Sequence, residues 1–209
     1  MYHQYMPFLS EFVHKIKAGE GLSYSYNVGI GSNFLALYVY YVASPFNWLV
    51  FLLPESLIME FMSYLVILRI GLMGLTFSIY LRKTFGKADP AVILFSTCYA
   101  LSGYLAAYNW NVMWLDTFAL LPLVALGTVC LLKEKKFFLY TITLFLSVYS
   151  NYYIGFFTCI FVFLLFFVYE ICRWGGWKKL FADLGRIALF SLLALGMTAI
   201  LTFPALSAL

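Results

Sequence analysis

The chain has 209 residues, of which 64% are hydrophobic, 21% aromatic and only 11% charged, and its mean hydropathy is +0.92. Because a soluble domain carries about 25% charged residues, this composition excludes a soluble fold and indicates an integral membrane protein. The formal net charge of +4 does not indicate a nucleic-acid partner, since the cations are divided among short loops and form no continuous face.

The first stretch, residues 2–17, has the pattern of an amphipathic helix that lies in the membrane interface. One stripe of this helix is apolar and another is polar. The apolar stripe holds Tyr5, Phe8, Leu9, Phe12 and Ile16, and the polar stripe holds Gln4, Glu11 and Lys15. Four glycines at positions 19, 21, 29 and 31 then indicate a tightly turning connection.

An apolar segment follows at residues 33–53, but Ser44-Pro45 interrupts it. The residue before a proline is pushed out of the helical region, so two half-length helices fit better than one continuous span. They are expected to form a re-entrant hairpin or to lie in the interface. Residues 1–54 are therefore predicted to be an outer loop.

Runs of about 20 apolar residues can cross a bilayer, and six such runs are predicted between residue 55 and residue 209. They cover approximately residues 57–81, 90–108, 117–132, 137–150, 154–172 and 187–202. The expected fold class is all-α: one polytopic transmembrane domain over residues 1–209, with interfacial or re-entrant helices in its first outer loop. The four cysteines lie in or beside these runs without the close pairs of zinc or redox motifs, so we expect small lipid-facing or packing residues.

The loops between these runs alternate in character, and the positive-inside bias places the basic loops in the cytoplasm. The basic residues are Arg82, Lys83 and Lys87, then Lys133, Lys135 and Lys136, then Arg173, Lys178, Lys179 and Arg186. The opposite loops carry polar and aromatic motifs: YHQY at 2–5, SYSYN at 23–27, NWNVMWLD at 109–116 and NYY at 151–153. A function is therefore expected on the outer face.

Asp116 is the strongest acidic candidate, because it is predicted to end an outer loop beside Trp110 and Trp114. A carboxylate at this place could act as a base or could hold a divalent cation. An N-cap for a span that begins at Thr117 is an equally good interpretation.

Arg69 and His3 are the candidate cationic groups. Arg69 lies within the first predicted span and requires either a cavity that leads to a lipid phosphate or an interhelical hydrogen-bond network. Glu60 is nine residues away, on the opposite side of the helix, and is not expected to be its partner. His3 could contact a donor phosphate or orient a carboxylate, although an ordinary interfacial histidine also fits.

Aromatic and amide side chains of the outer loops complete the predicted binding set. Aromatic rings stack on sugar faces and bind hydroxyls, but the aromatic belt of membrane proteins explains most of these positions equally well. The predicted residues, besides Arg69, are Tyr2, Gln4, Tyr5, Tyr24, Tyr26, Asn27, Asn33, Tyr41, Trp110, Asn111, Trp114, Asn151, Tyr152 and Tyr153.

Several blocks, in their order along the chain, resemble the bacterial YfhO membrane-protein family. They are YHQY at 2–5, GLSYSYN at 21–27, GIG at 29–31, YYVASPFN at 40–47, NWNVMWLD at 109–116 followed by Pro122, and NYY at 151–153. The family pattern has a transmembrane helix and an acidic residue before the first block. It also continues beyond the break at Phe203-Pro204, so this chain is expected to be a fragment.

The resemblance implies a GT-C-type fold, in which a large first outer loop holds the active site of a glycosyltransferase. Members look like enzymes that transfer a sugar from a polyprenyl-phosphate donor to an envelope polymer such as lipoteichoic acid. This implies a multi-pass protein of the bacterial cytoplasmic membrane with an extracellular active face. A transporter or flippase for the same lipid, and a non-catalytic assembly subunit, are the alternative functions.

Overall fold

The structure is a computed structural model that describes residues 3–86 and 89–207. Tyr2 and Lys87, which the sequence analysis names, lie outside the described residues. Within these ranges nine α-helices are present. They are α1 Tyr5–Ala18, α2 Phe34–Leu37, α3 Ile58–Phe85, α4 Pro90–Ala100, α5 Gly103–Tyr108, α6 Val112–Glu134, α7 Phe138–Ser150, α8 Tyr152–Cys172 and α9 Trp177–Ser207. A π-helical turn, Tyr38–Val42, continues α2, and two 3₁₀ helices, Pro45–Leu52 and Glu55–Leu57, precede α3.

Five helical segments of the described chain are long and apolar enough to cross a membrane. They are Glu55–Phe85, Pro90–Tyr108, Val112–Glu134, Tyr152–Cys172 and Trp177–Pro204. An all-α polytopic membrane bundle is therefore confirmed. The fourth predicted run, residues 137–150, is present as the shorter apolar helix Phe138–Ser150, whose 13 residues extend about 20 Å at 1.5 Å per residue.

Helix α6 lies at the centre of the bundle, where it contacts α3, α7, α8 and α9. Its apolar part is 67% buried inside the protein, whereas the other four candidate spans are 17–28% buried. The approach of α7 to α6 is close at Gly127, where an added Cβ would lie 2.7 Å from backbone atoms of Tyr140. Helices α3, α7, α8 and α9 therefore surround α6, while α4 packs on α3.

The segment before α3 covers one end of this bundle. Helix α1 contacts the π-helical turn and α3. The segments Phe34–Val42 and Pro45–Leu52 are bent by 96° at the predicted break. Ser44 occupies the corner, and its Oγ accepts a hydrogen bond from the Phe46 amide at 3.2 Å. The two half-length helices expected from Ser44-Pro45 are therefore present, and we call them the bent pair.

Helix α1 differs from the expectation in the burial of its polar stripe. Glu11 and Lys15 are 8% and 4% exposed, because the loop after α1 folds back over them. The Glu11 carboxylate accepts hydrogen bonds from Ser25 Oγ at 2.6 Å and Asn27 Nδ2 at 3.0 Å. The polar stripe of α1 thus binds another part of the chain.

Helix α9 begins earlier than expected, so three of the predicted loop cations lie inside a helix. Lys178, Lys179 and Arg186 follow its first residue, Trp177. Lys179 Nζ lies 2.7 Å from Glu170 of α8 and 3.2 Å from Asp183. These carboxylates compensate the positive charge of Lys179, and lysine and arginine are themselves favourable helix residues.

Candidate functional site

A buried ion pair joins α3 to α6. Arg69 is 0% exposed and Asp116 is 1% exposed. Arg69 Nε donates to Asp116 Oδ1 at 2.7 Å, and Nη2 donates to Oδ2 at 3.0 Å. This bidentate geometry is the strongest arrangement for an arginine and a carboxylate. The interhelical hydrogen-bond network considered for Arg69 is therefore confirmed, and its carboxylate partner is Asp116.

The same guanidinium also binds the corner of the bent pair. Arg69 Nη2 donates to Ser44 Oγ at 2.9 Å, and Asn47 Oδ1 lies 3.5 Å away. The Arg69 Cζ atom lies 5.9 Å from the centroid of the Phe46 ring. Three segments that are distant in sequence therefore meet at one side chain, and this contact holds the bent pair against the bundle.

Asp116 does not cap a helix, so the N-cap interpretation is wrong. Helix α6 begins at Val112, with Asn111 as the residue that precedes it. Asp116 is consequently the fifth residue of the helix, where backbone amides already have partners within the helix. Its two carboxylate oxygens point to Arg69, and the segment that was expected to be a loop forms the first turns of α6.

A small cavity lies beside the ion pair. Its lining includes Arg69, Asn47, Tyr5 and Tyr41, and its volume of about 10 Å³ corresponds to roughly one water molecule. Arg69 Nη1 is buried and has no hydrogen-bond partner among the described residues. A sugar phosphate requires far more space, so Arg69 does not face an open donor-sized cavity in this structure.

Near the ion pair, six aromatic side chains from four segments form what we call the aromatic cluster, and two of them, Tyr5 and Tyr41, line the same small cavity as Arg69. Its members are Tyr5 of α1, Tyr40 and Tyr41 of the π-helical turn, Trp114 of α6, and Tyr152 and Tyr153 of α8. The ring centroids are 5.6 Å apart for Tyr5 and Tyr41, 4.8 Å for Tyr40 and Tyr41, and 5.8 Å for Tyr40 and Tyr152. Trp114 and Tyr153 are 6.4 Å apart.

Amide side chains hold the aromatic cluster in place. Gln4 Nε2 donates to the Tyr41 hydroxyl at 2.7 Å, and the Tyr5 hydroxyl donates to Asn111 Oδ1 at 3.4 Å. Asn151 Nδ2 donates to the Tyr40 carbonyl at 3.0 Å, while its Oδ1 accepts from the Ile154 amide at 2.9 Å. Asn151 is 0% exposed. Its side chain therefore caps α8 and connects that helix to the π-helical turn.

The environment of Tyr5 reinforces the protonated state that a tyrosine hydroxyl already has at neutral pH. Burial, followed by the neighbouring Tyr41 and Tyr40 hydroxyls, raises the pKa of Tyr5 above its usual value. A neutral phenol is a hydrogen-bond donor, which agrees with its contact to Asn111. Tyr5 therefore acts as a fixed donor at neutral pH.

Other predicted residues make their contacts elsewhere. Tyr24 and Tyr26 pack on each other, with centroids 4.9 Å apart. Asn27 binds Glu11, and Asn33 caps α2 by accepting from the Ala36 amide at 3.2 Å. A separate pair of contacts holds Trp110: its Nε1 donates to the Ala107 carbonyl at 3.0 Å, and its ring lies 6.4 Å from that of Tyr108. His3 is exposed in the turn before α1.

The sequence reasoning did not identify Ser44 and Asn47 as partners of Arg69. The sequence did contain a signal for these contacts. Both polar residues flank a proline in an otherwise apolar segment, and buried polar groups need hydrogen-bond partners. In the part of the chain that the structure describes, no group of three His, Cys, Asp or Glu side chains could hold a metal ion. All four cysteines are unpaired, with Cys98 and Cys172 exposed and Cys130 and Cys159 half-buried.

Comparison with known proteins identifies one family. Residues 1–209 match the family described as bacterial membrane protein YfhO. No curated protein and no solved structure matches the chain.

Proposed function

Because the chain belongs to the YfhO family of bacterial membrane proteins, we propose that it has the function of a GT-C-type glycosyltransferase. Its donor would be a polyprenyl-phosphate-linked sugar, and its acceptor a teichoic-acid-like polymer of the cell envelope. The reaction would take place on the outer face of the cytoplasmic membrane. The observation that carries this proposal is the aromatic cluster, which four chain segments assemble over a buried ion pair.

The aromatic cluster has the chemistry that a sugar requires. Sugars present C–H faces that stack on aromatic rings, and tyrosine adds a hydroxyl at the ring edge. Tyr41 and Tyr152 are half-buried, and Tyr153 is 46% exposed. These three side chains are anchored by their neighbours but still accessible, so they are the members that we propose contact the donor sugar.

Transfer of a sugar from a lipid phosphate requires the acceptor hydroxyl, the anomeric carbon of the donor and a base to lie close together. The acceptor hydroxyl attacks the anomeric carbon, the bond from that carbon to the phosphate oxygen breaks, and the lipid phosphate leaves with the electron pair. A base takes the proton of the acceptor hydroxyl. Asp116 and His3 are the groups that the sequence predicts for this step. The sequence also predicts Arg69 for attraction of the phosphate, but Arg69 faces no donor-sized cavity in this structure, which favours a positioning role for it.

The geometry supports a positioning role for Asp116 more directly than a role as base. Both of its oxygens accept hydrogen bonds from Arg69, so it could receive a proton only after this ion pair opens. We therefore propose that Asp116 orients Arg69, and that Arg69 holds the bent pair, which carries Tyr40 and Tyr41, over the bundle.

Alanine substitution of cluster members tests the proposal in the full-length protein. Tyr152→Ala and Tyr41→Ala should each lower the sugar-transfer rate about tenfold, which corresponds to about 1.4 kcal/mol of transition-state stabilisation. Tyr152→Phe should retain most of the rate, because it keeps the stacking face.

Tyr64→Ala is the matched control, since Tyr64 lies on α3 and is 69% exposed. Transfer of radiolabelled sugar in membrane vesicles, normalised to the amount of inserted protein, measures the effect. Unchanged transfer in both alanine variants would exclude the aromatic cluster as the donor site.

A further inference from the structure

Residues 21–54 form an uncharged segment of unusual composition. They contain no Asp, Glu, Lys, Arg or His, whereas surfaces in contact with water are roughly 25–35% charged. Charged residues flank this segment, and Lys17 Nζ lies 2.9 Å from Glu55 Oε1 in an exposed ion pair. The charged boundary and the uncharged interior indicate a segment that leaves bulk water.

A short hairpin occupies the first part of this segment. Ser25 and Ser32 exchange two backbone hydrogen bonds of 3.0 and 2.9 Å. Gly31 has φ 107°, and a Cβ there would lie 2.0 Å from the Tyr24 hydroxyl. Only glycine fits this turn without displacement of the tyrosine ring. The backbone pairing and the packed ring define a compact structure, which we call the hairpin, residues 24–32.

The hairpin is fixed to helix α1 by Glu11, whose carboxylate accepts from Ser25 Oγ and Asn27 Nδ2. The orientation of its tip is therefore determined by α1. At that tip, Ile30 is 103% exposed and Tyr26 is 82% exposed. An uncharged loop that Glu11 anchors to α1 thus exposes the side chains of Ile30 and Tyr26.

We propose that this tip inserts into the interface of the bilayer, with Ile30 at the acyl boundary and Tyr26 at the headgroup level. Tyrosine is enriched at that level because its ring is amphipathic, and an apolar residue gains free energy when it leaves water. The bent pair exposes Trp48 and Leu52 in the same uncharged segment, which extends the lipid-facing surface. Tyr26 then contacts lipid and not the sugar.

Thiol reactivity in nanodiscs tests this insertion, because both faces of the bilayer are accessible there. Full-length protein with every native cysteine replaced would carry one cysteine, either Ile30→Cys or, as the water-exposed control, Glu20→Cys. The rate of reaction with a charged methanethiosulfonate is normalised to the rate of the same chain unfolded in detergent. A thiolate is disfavoured in an apolar environment, and one unit of increase in thiol pKa already lowers the thiolate fraction about tenfold.

We expect the cysteine at position 30 to react at least about ten times more slowly than the cysteine at position 20. A fluorescent probe attached at position 30 should also be quenched by doxyl-labelled phosphatidylcholine. Equal normalised rates would overturn the inference. Slow reaction without quenching by labelled lipid would also overturn it, because a protein segment or a substrate would then cover the tip. Tyr26→Cys provides a second position if Ile30→Cys does not fold.

Discussion

Removal of one partner from the Arg69–Asp116 pair should destabilise the bundle strongly. The Asp116→Leu variant leaves a guanidinium at 0% exposure with only Ser44 and Asn47 as acceptors. Breaking a buried ion pair in this way costs about 3–5 kcal/mol, whereas a neutral interhelical hydrogen bond in a membrane protein contributes about 0.6 kcal/mol on average. We expect Asp116→Leu and Arg69→Met each to lower the free energy of unfolding by about 3–5 kcal/mol.

The double variant, Arg69→Met with Asp116→Leu, should be much less destabilised than the sum of its parts, because no unpaired charge remains. Unfolding of the full-length protein by SDS in mixed micelles measures the stability of the wild type, the two single variants and the double variant. Glu60→Gln is the control on the same helix, since Glu60 is exposed and should change stability by less than about 0.5 kcal/mol. If the two single costs simply add in the double variant, the ion pair does not join α3 to α6 as described.

Four further results are expected. Asp116→Asn in the full-length protein should abolish sugar transfer while insertion stays normal, and wild-type transfer would exclude a functional role. Gly127→Ala should destabilise by about 1–3 kcal/mol through overpacking, whereas Gly196→Ala, with no atom within 4 Å of its Cβ, should not. Burial favours a higher pKa for Glu11, but hydrogen bonds from the hairpin and nearby cations hold it below 4.5. This stabilisation is present above pH 4.5 and is lost as the pH falls through the pKa that Glu11 has in the folded protein. A spin label at Ser23 should therefore become mobile at that low pH and stay immobile at pH 7. An impermeant thiol reagent on intact cells should label Ser23→Cys and not Lys135→Cys, and the opposite result would reverse the topology.

The pattern of apolar residues predicted where helices occur, because a membrane-spanning helix depends mainly on the hydropathy of consecutive residues. The apolar runs predicted six spans, of which five are membrane-length segments and one, at residues 137–150, is a shorter helix. The break at Ser44-Pro45 predicted the bent pair. Boundaries were less accurate where tertiary contacts compensate charge. Helix α9 extends through Lys179, whose charge is compensated by Glu170 on another helix, 2.7 Å away. That ion pair links two helices, and no window of local sequence contains information on its geometry.

The sequence alone determined the membrane class and the need of Arg69 for a partner, because hydropathy and the cost of an intramembrane charge follow from residue type. Tertiary structure decided that Arg69 and Asp116 are partners and that Ser44 and Asn47 bind the same guanidinium. It also decided which tyrosines form the aromatic cluster and which, such as Tyr26, point away from it. The physical reason is that hydrogen bonds and ring contacts depend on distances between atoms, and chain packing alone brings residues 44, 69 and 116 together.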